Sequence, residues 1–233
     1  MKAPILKKIK EIKECHGIKW EDNYSWIHQK NILEVLKNSS KLNKDVREYL
    51  EAENKFTKYH LKKTKPLQKE LFKEIKGRIK LDNISLPFKD KNYEYWTKTT
   101  KSGNYSIKLR RKLHSKKAEV YWDGNKEHKL SNSEYFGIGG LTVSYNDKLL
   151  GYSLDLKGSE YYTIYIRQIS DKKLVSSKIT ETSGNIVFSL DDKYIFYSKL
   201  DNNHRPKTVF RHKIGTPVKN DVLIFEEKNE RFT

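Results

Sequence analysis

Apolar positions in the first eighty residues recur every three or four places, and beyond them they alternate every second place. Val46, Tyr49, Leu50, Phe56 and Tyr59 fall near one face of a helix that Asn43 is placed to cap. Pro66 sits where a first helical turn tolerates proline, and it leads into Leu67, Leu71, Phe72, Ile75 and Ile79, a second apolar stripe. Lys alternates with Asp and Glu on the opposite faces, as expected for a solvated side. Ile5, Leu6, Ile9 and Ile12 predict a short basic amphipathic helix, too short and weak to bind a membrane surface firmly. Residues 1–80 are therefore expected to be helical.

After Pro87 the period changes to two. Tyr93, Tyr95 and Thr97 alternate with other residues, Gly103-Asn104 supplies a turn, and Tyr105 to Arg111 reads as the returning strand. Val120-Tyr121-Trp122 followed by Asp123-Gly124 predicts another strand and turn. The chain then repeats itself. VSYNDKLLGYS (Val143–Ser153) and FSLDDKYIFYS (Phe188–Ser198) lie forty-five positions apart. At that offset Ser144 falls on Ser189, Asp147 on Asp192, Lys148 on Lys193 and Tyr152 on Tyr197. Thr163-Ile164-Tyr165 falls on Thr208-Val209-Phe210 in the same way. A period of about 40–50 residues with several short strands per unit is the mark of a propeller blade. Each blade is a small twisted sheet that needs neighbours to bury its faces. The expected fold is mainly β with an N-terminal helical segment (1–80) and an incomplete β-propeller of about three blades (81–233). Three blades are fewer than the four to eight that close a ring, so unpaired edges are expected after Val222-Leu223-Ile224-Phe225.

Composition narrows the chemistry. The 233 residues are 36% hydrophobic and rich in Tyr, Phe and Trp, which suits a packed core and disfavours wholesale disorder. The net charge of +18 comes almost entirely from Lys, and the lysines are spread along the chain. Nucleic-acid readers lean on Arg for bidentate contacts, so this charge reads first as a solvated basic surface. The only cysteine, Cys15, permits no internal disulfide and suits a reducing compartment, so a cytoplasmic location is expected. The N-terminus has no uninterrupted apolar core of the kind a secretory signal needs, and no stretch approaches a membrane span.

Few constellations carry chemistry. Cys15 and His16 are adjacent, but neighbouring residues rarely face each other. The seven histidines lack H-x-x-x-H or H-E-x-x-H spacing, so no metal site is expected. Gly137-Ile138-Gly139-Gly140 lacks the third glycine of a dinucleotide loop and reads as a turn leading into a blade; no cofactor is expected.

The stretches HGIKWEDNYSWI (His16–Ile27), VREYLEAENKFT (Val46–Thr57), KEIKGRIKLDNISLPF (Lys73–Phe88), GLTVSYNDKLLGYSLDLKGSEYYTIYIR (Gly140–Arg167) and TSGNIVFSLDDKYIFYS (Thr182–Ser198), in that order, resemble the prolyl oligopeptidase family of serine peptidases. FRHKIGT and DVLIFEEKNERF continue the resemblance, which looks closest to the oligopeptidase B branch, also called protease II. It implies an N-terminal segment packed on an α/β-hydrolase domain, a seven-bladed propeller that limits access to short peptides, and cleavage after Lys or Arg. At roughly 45 residues per blade, seven blades need about 315 residues, and this chain supplies about three blades. His16, Asp22, Tyr24 and Trp26 match the family's N-terminal signature, where Trp26 is expected to be a buried anchor and Asp22 a local backbone acceptor.

A hydrolase of this kind needs G-x-S-x-G at a strand-to-helix elbow, then Asp and His. The motif is absent: Ser159 and Ser183 each have only one glycine neighbour and read as turn serines. No catalytic residue is assigned, and no paired nucleophile and base is expected. The expected role is to cover or gate an active site on a catalytic α/β-hydrolase domain or separately encoded C-terminal fragment, with short basic peptides as substrates. The alternative is a non-enzymatic basic scaffold that binds nucleic acid or acidic partners.

Overall fold

The computed structural model describes residues 1–229, 231 and 232. The chain divides into two compact units, one spanning residues 1–80 and the other beginning at Leu81.

The first unit opens with a β-hairpin, which replaces the helix expected through Ile5, Leu6, Ile9 and Ile12. Strand β1 (Glu11–Cys15) pairs antiparallel with β2 (Ile18–Asp22), and only Ile12 of those four lies in an element. The reason is local. His16 and Gly17 both take left-handed dihedrals (φ 52° and 77°), the conformation of a two-residue hairpin turn. Opposed charges such as Lys10 and Glu21 then meet 2.7 Å apart across the ribbon. Three helices follow: α1 (Ile32–Lys37), α2 (Lys44–His60) and α3 (Lys65–Arg78). Asn43 caps α2 by accepting the Asp45 amide at 2.9 Å, and Pro66 occupies the first turn of α3. Val46 is the buried hydrophobic residue of this unit; Leu67, Leu71, Phe72, Ile75 and Ile79, the whole α3 stripe, stay exposed.

The second unit is a row of small antiparallel sheets. In the first, β5 (Tyr93–Thr99) pairs with β6 (Ile107–Lys112), β6 with β7 (Ala118–Asp123), and both β3 (Asn83–Ile84) and β4 (Phe88–Asp90) pair with β5. Asp123-Gly124 does not make the simple turn the sequence suggests. The Asp123 carboxylate accepts the amides of Asn125 and Lys126, each at 3.2 Å, and so starts α4 (Gly124–Ser131).

The second blade is a meander of β8 (Gly137–Val143), β9 (Leu149–Asp155), β10 (Tyr162–Gln168) and β11 (Ile179–Thr182). The third comprises β12 (Val187–Phe188), β13 (Tyr194–Leu200), β14 (Pro206–Lys213) and β15 (Val222–Glu226). One residue pair, Thr182 with Lys199, joins the second and third sheets edge to edge. Gly137–Gly140, expected as a turn, lies inside β8, where the register shifts between Ile138 and Leu141. A Cβ on Gly140 would stand 2.6 Å from the Gly184 carbonyl, so glycine here permits the close approach of two backbones.

Two apolar clusters hold the blades face to face. Trp122 and Phe136 meet Leu150, Tyr152, Leu154 and Ile169 at the first joint. At the second joint Ile164, Ile166 and Ile179 meet Ile186, Phe188, Ile195 and Tyr197. Each such side chain, fully enclosed, stabilises the fold by about 1.5–3 kcal/mol. The aligned repeat recurs in three dimensions: Tyr152 stacks on Tyr165 with ring centroids 5.1 Å apart, and Tyr197 on Phe210 at 5.7 Å.

Candidate functional site

The residues that the repeat superimposes also fasten one blade to the next. Asp147 and Asp192 both sit at a left-handed position (φ 62° and 55°) in the first hairpin of their blades. From there each carboxylate reaches back to the preceding blade. Asp192 accepts the amides of Tyr145 and Asn146, one on each oxygen, at 2.7 Å. Asp147 accepts the Tyr95 hydroxyl at 3.2 Å and the Asn92 side-chain amide at 3.3 Å. Its carbonyl takes Arg110 Nη1 at 2.7 Å, while Arg110 Nε binds Glu119 at 2.6 Å. Burial would lower the Arg110 pKa, but Glu119 and then Tyr95 together offset this and leave it raised. Burial pushes the Tyr95 hydroxyl well up, against the opposing pull of Arg110. A cleft of 640 Å³ opens at the first joint, lined by Asn92, Tyr93, Arg110, Lys112, Asn146 and Gln168 among others.

The third blade brings together a set that sequence spacing did not suggest. Ser176 Oγ lies 2.5 Å from His212 Nε2, and His212 Nδ1 lies 2.6 Å from Asp221. The order of contacts is that of a nucleophile, base and orienting acid, so the expectation of no such pairing in the chain is corrected. Its surroundings make it a structural relay. His212 is fully buried, Gly215 donates its amide to Ser176 Oγ at 3.3 Å, and the second Asp221 oxygen accepts the Tyr197 hydroxyl at 2.7 Å. Burial, then Asp221, raises the Tyr197 pKa strongly. The network ties β13 and β14 to the segments before β11 and β15. Its members are 36 and 9 residues apart along the chain, so no local motif reveals them.

The residues picked out from the sequence are scattered. Cys15 and His16 lie at the exposed tip of the first hairpin. Asp22 does accept locally, from the Tyr24 amide at 2.8 Å and the Ser25 hydroxyl at 2.7 Å. Trp26 is only partly buried in this unit; its indole N–H donates to the Lys7 carbonyl at 2.9 Å. Ser159 is a buried loop residue, with its hydroxyl 3.5 Å from Asp155. Ser183 follows β11; its amide donates to the Ser198 carbonyl at 3.0 Å, and its enclosed hydroxyl has no partner. His204 Nε2 lies 3.3 Å from the Ser159 carbonyl and not from its hydroxyl, and both serines belong to turns.

What the second unit chiefly offers is surface for contact. Ile84, Leu86 and Phe88 are exposed on the first blade, and Val222, Leu223, Ile224 and Phe225 are all exposed along β15. Strand β15 pairs only with β14, so among the described residues its outer edge is open. Such a combination marks an interaction face.

Comparison with known proteins agrees with this geometry. Residues 4–233 match the family described as prolyl oligopeptidase, N-terminal beta-propeller domain. Dipeptidyl aminopeptidase BI of Pseudoxanthomonas mexicana is 28% identical over 98% of this chain and 32% of its own length. Protease 2 of Moraxella lacunata is 28% identical over 100% of this chain and 33% of its own. Among solved structures, oligopeptidase B from Leishmania major superimposes with a TM-score of 0.84 at 24% identity, covering 98% of this chain and 33% of that one. The chain thus spans about a third of the length of the curated relatives it matches. With an open row of blades and a family match along nearly all its residues, the chain belongs to the prolyl oligopeptidase family as its N-terminal β-propeller domain.

Proposed function

We propose that the chain is the propeller side of an oligopeptidase-B-like serine peptidase that cleaves short peptides after Lys or Arg. It covers and gates an active site carried by a catalytic α/β-hydrolase domain, on the same or a separate polypeptide. The match over residues 4–233 carries this reading. The exposed stripe of α3 and the bare faces of the outer blades support it, since each needs a partner to leave water. In this reading residues 1–80 dock on the hydrolase domain. The single exposed thiol fits a reducing, cytoplasmic setting. No described helix is long and apolar enough to cross a membrane.

The test replaces the matched N-terminal third of Moraxella lacunata Protease 2 with this chain. The chimaera is expected to cleave an Arg- or Lys-containing peptide, and this chain alone to leave it intact. A folded chimaera without activity refutes the proposal, as does cleavage by the contaminant-free chain on its own. The +18 charge favours a second reading, a basic scaffold for nucleic acid. That reading requires binding that weakens steeply with salt, because phosphate neutralisation releases counterions.

A further inference from the structure

The cleft at the first joint combines groups that are already satisfied with groups that are not. Its two most enclosed charged residues, Arg110 and Asp147, are 4% and 6% exposed. Arg110 is held by Glu119, by the Asp147 carbonyl and by the Tyr93 ring, whose centroid lies 4.3 Å from the guanidinium carbon. Asp147 has a donor on each carboxylate oxygen, Tyr95 on one and Asn92 on the other. Lys112 and Lys148 line the same cavity, and among the described residues neither ammonium has a partner. The same holds for Asn146 Nδ2, the Gln168 side-chain amide and the Ser170 hydroxyl.

The repeat shows that the free lysine of the second blade is not a general feature of the hairpin. Forty-five positions on, Asp191 stands where Asn146 does and Lys193 where Lys148 does. Asp191 accepts the Ser189 hydroxyl at 2.6 Å and the Lys193 amide at 3.2 Å, and pairs with the Lys193 ammonium at 3.5 Å. Asn146 keeps the two turn bonds, from the Ser144 hydroxyl at 2.8 Å and the Lys148 amide at 2.9 Å, without the charge. Asparagine here therefore spares the cleft a third carboxylate and leaves the Lys148 ammonium uncommitted.

We propose that this cleft binds a small phosphorylated molecule, with its phosphate on Lys112 and Lys148 and its polar body on Asn146, Gln168 and Ser170. A phosphate monoester carries about −1.5 to −2 charges at neutral pH and three acceptor oxygens, which suits two ammoniums beside neutral donors. Lysine serves such a group as a point charge. The volume of 640 Å³ lies within the range of about 300–1,000 Å³ usual for small-molecule sites, so there is room for more than a bare ion. Lys112 ends β6 of the first blade, whereas Lys148 and Gln168 belong to the second. The ligand thus bridges the joint, and its binding stabilises the packed blades by mass action. The proposal concerns residues of this chain alone and does not depend on the functional reading above.

The test titrates the full chain with ribose 5-phosphate at constant ionic strength. The side-chain amide resonances of Asn146 and Gln168 should shift saturably and Tm should rise, while ribose does neither and inorganic phosphate binds more weakly. Lys112→Gln and Asn146→Asp should each weaken binding at least about tenfold, the loss of one charge-assisted bond. Asn146→Asp keeps the turn, as Asp191 does in the third blade, so both variants should unfold at the wild-type urea midpoint without ligand. Lys69→Gln, exposed on α3, should leave the affinity unchanged. The proposal is overturned by the absence of a saturable shift, or by an equal loss in Lys69→Gln, which would assign binding to the overall positive charge. Inorganic phosphate binding as tightly as ribose 5-phosphate removes the polar body from the site and overturns the ligand class. A phosphoserine peptide binding more tightly than ribose 5-phosphate would assign the cleft to a protein segment and overturn it as well.

Discussion

Replacing Asp192 tests whether the repeated aspartates hold the blades together. Its carboxylate accepts two amides across the second joint, at 2.7 Å each, and it is half-buried. A hydrogen bond to a charged group contributes about 1.5–3 kcal/mol, and solvent access puts these at the lower end. Asp192→Asn keeps the left-handed backbone, which asparagine tolerates, and keeps one acceptor oxygen. It should cost about 1–1.5 kcal/mol. Asp192→Gly removes both acceptors at no steric cost at φ 55° and should cost about 2–3 kcal/mol. Urea unfolding reads both as a lower midpoint with an unchanged slope. Hydrogen exchange should show the Tyr145 and Asn146 amides losing protection in step. Asp191→Asn is the control, because that carboxylate bonds only within its own turn, to Ser189 and Lys193. The reasoning is refuted if Asp192→Gly unfolds at the wild-type midpoint, or if the control exposes the same two amides.

Two further outcomes are expected. Asp221→Ala strands His212 Nδ1 and the Tyr197 hydroxyl in a buried site, at about 1–3 kcal/mol for each unsatisfied group, whereas Ser176→Ala strands only His212 Nε2 and should cost about half as much; comparable losses in urea midpoint would contradict the relay. Burial raises Tyr121 and Tyr152 to about 12 each, for Tyr152 against the opposing charge of Arg167. The folded state then holds protons that the unfolded chain releases near pH 10, so this contribution is complete below pH 10 and is lost as pH climbs to about 12. For Tyr152 the loss is on the order of 2–3 kcal/mol, and Tyr152→Phe should flatten the alkaline decline in Tm.

Local signals were the readable ones. Asn43 and Pro66 announce α2 and α3 because a cap and a fixed φ act within one turn. The strands around Tyr152 and Tyr197 are visible because their period of two and their turns recur together. The helix read through Ile9 and Ile12 failed for the opposite reason: a four-residue apolar spacing says less than the left-handed pair His16-Gly17, which dictates a hairpin. Asp123-Gly124 reads as a turn in the sequence, and only the packing of α4 behind it shows that Asp123 acts as a helix cap. The candidate site was the least legible part. Asp147 and Asp192 stood out as repeated residues, but only packed blades show that each reaches backwards. Ser176, His212 and Asp221 meet only after β13, β14 and the loop before β11 have come together.

The placement of Cys15 has a practical consequence. As the sole thiol of the chain, at the rim of a solvent-facing hairpin, it permits clean attachment of a spin label without any prior mutagenesis. Paramagnetic broadening from that one point would map which blade resonances come near the helical unit, and whether adding a hydrolase domain redraws that map.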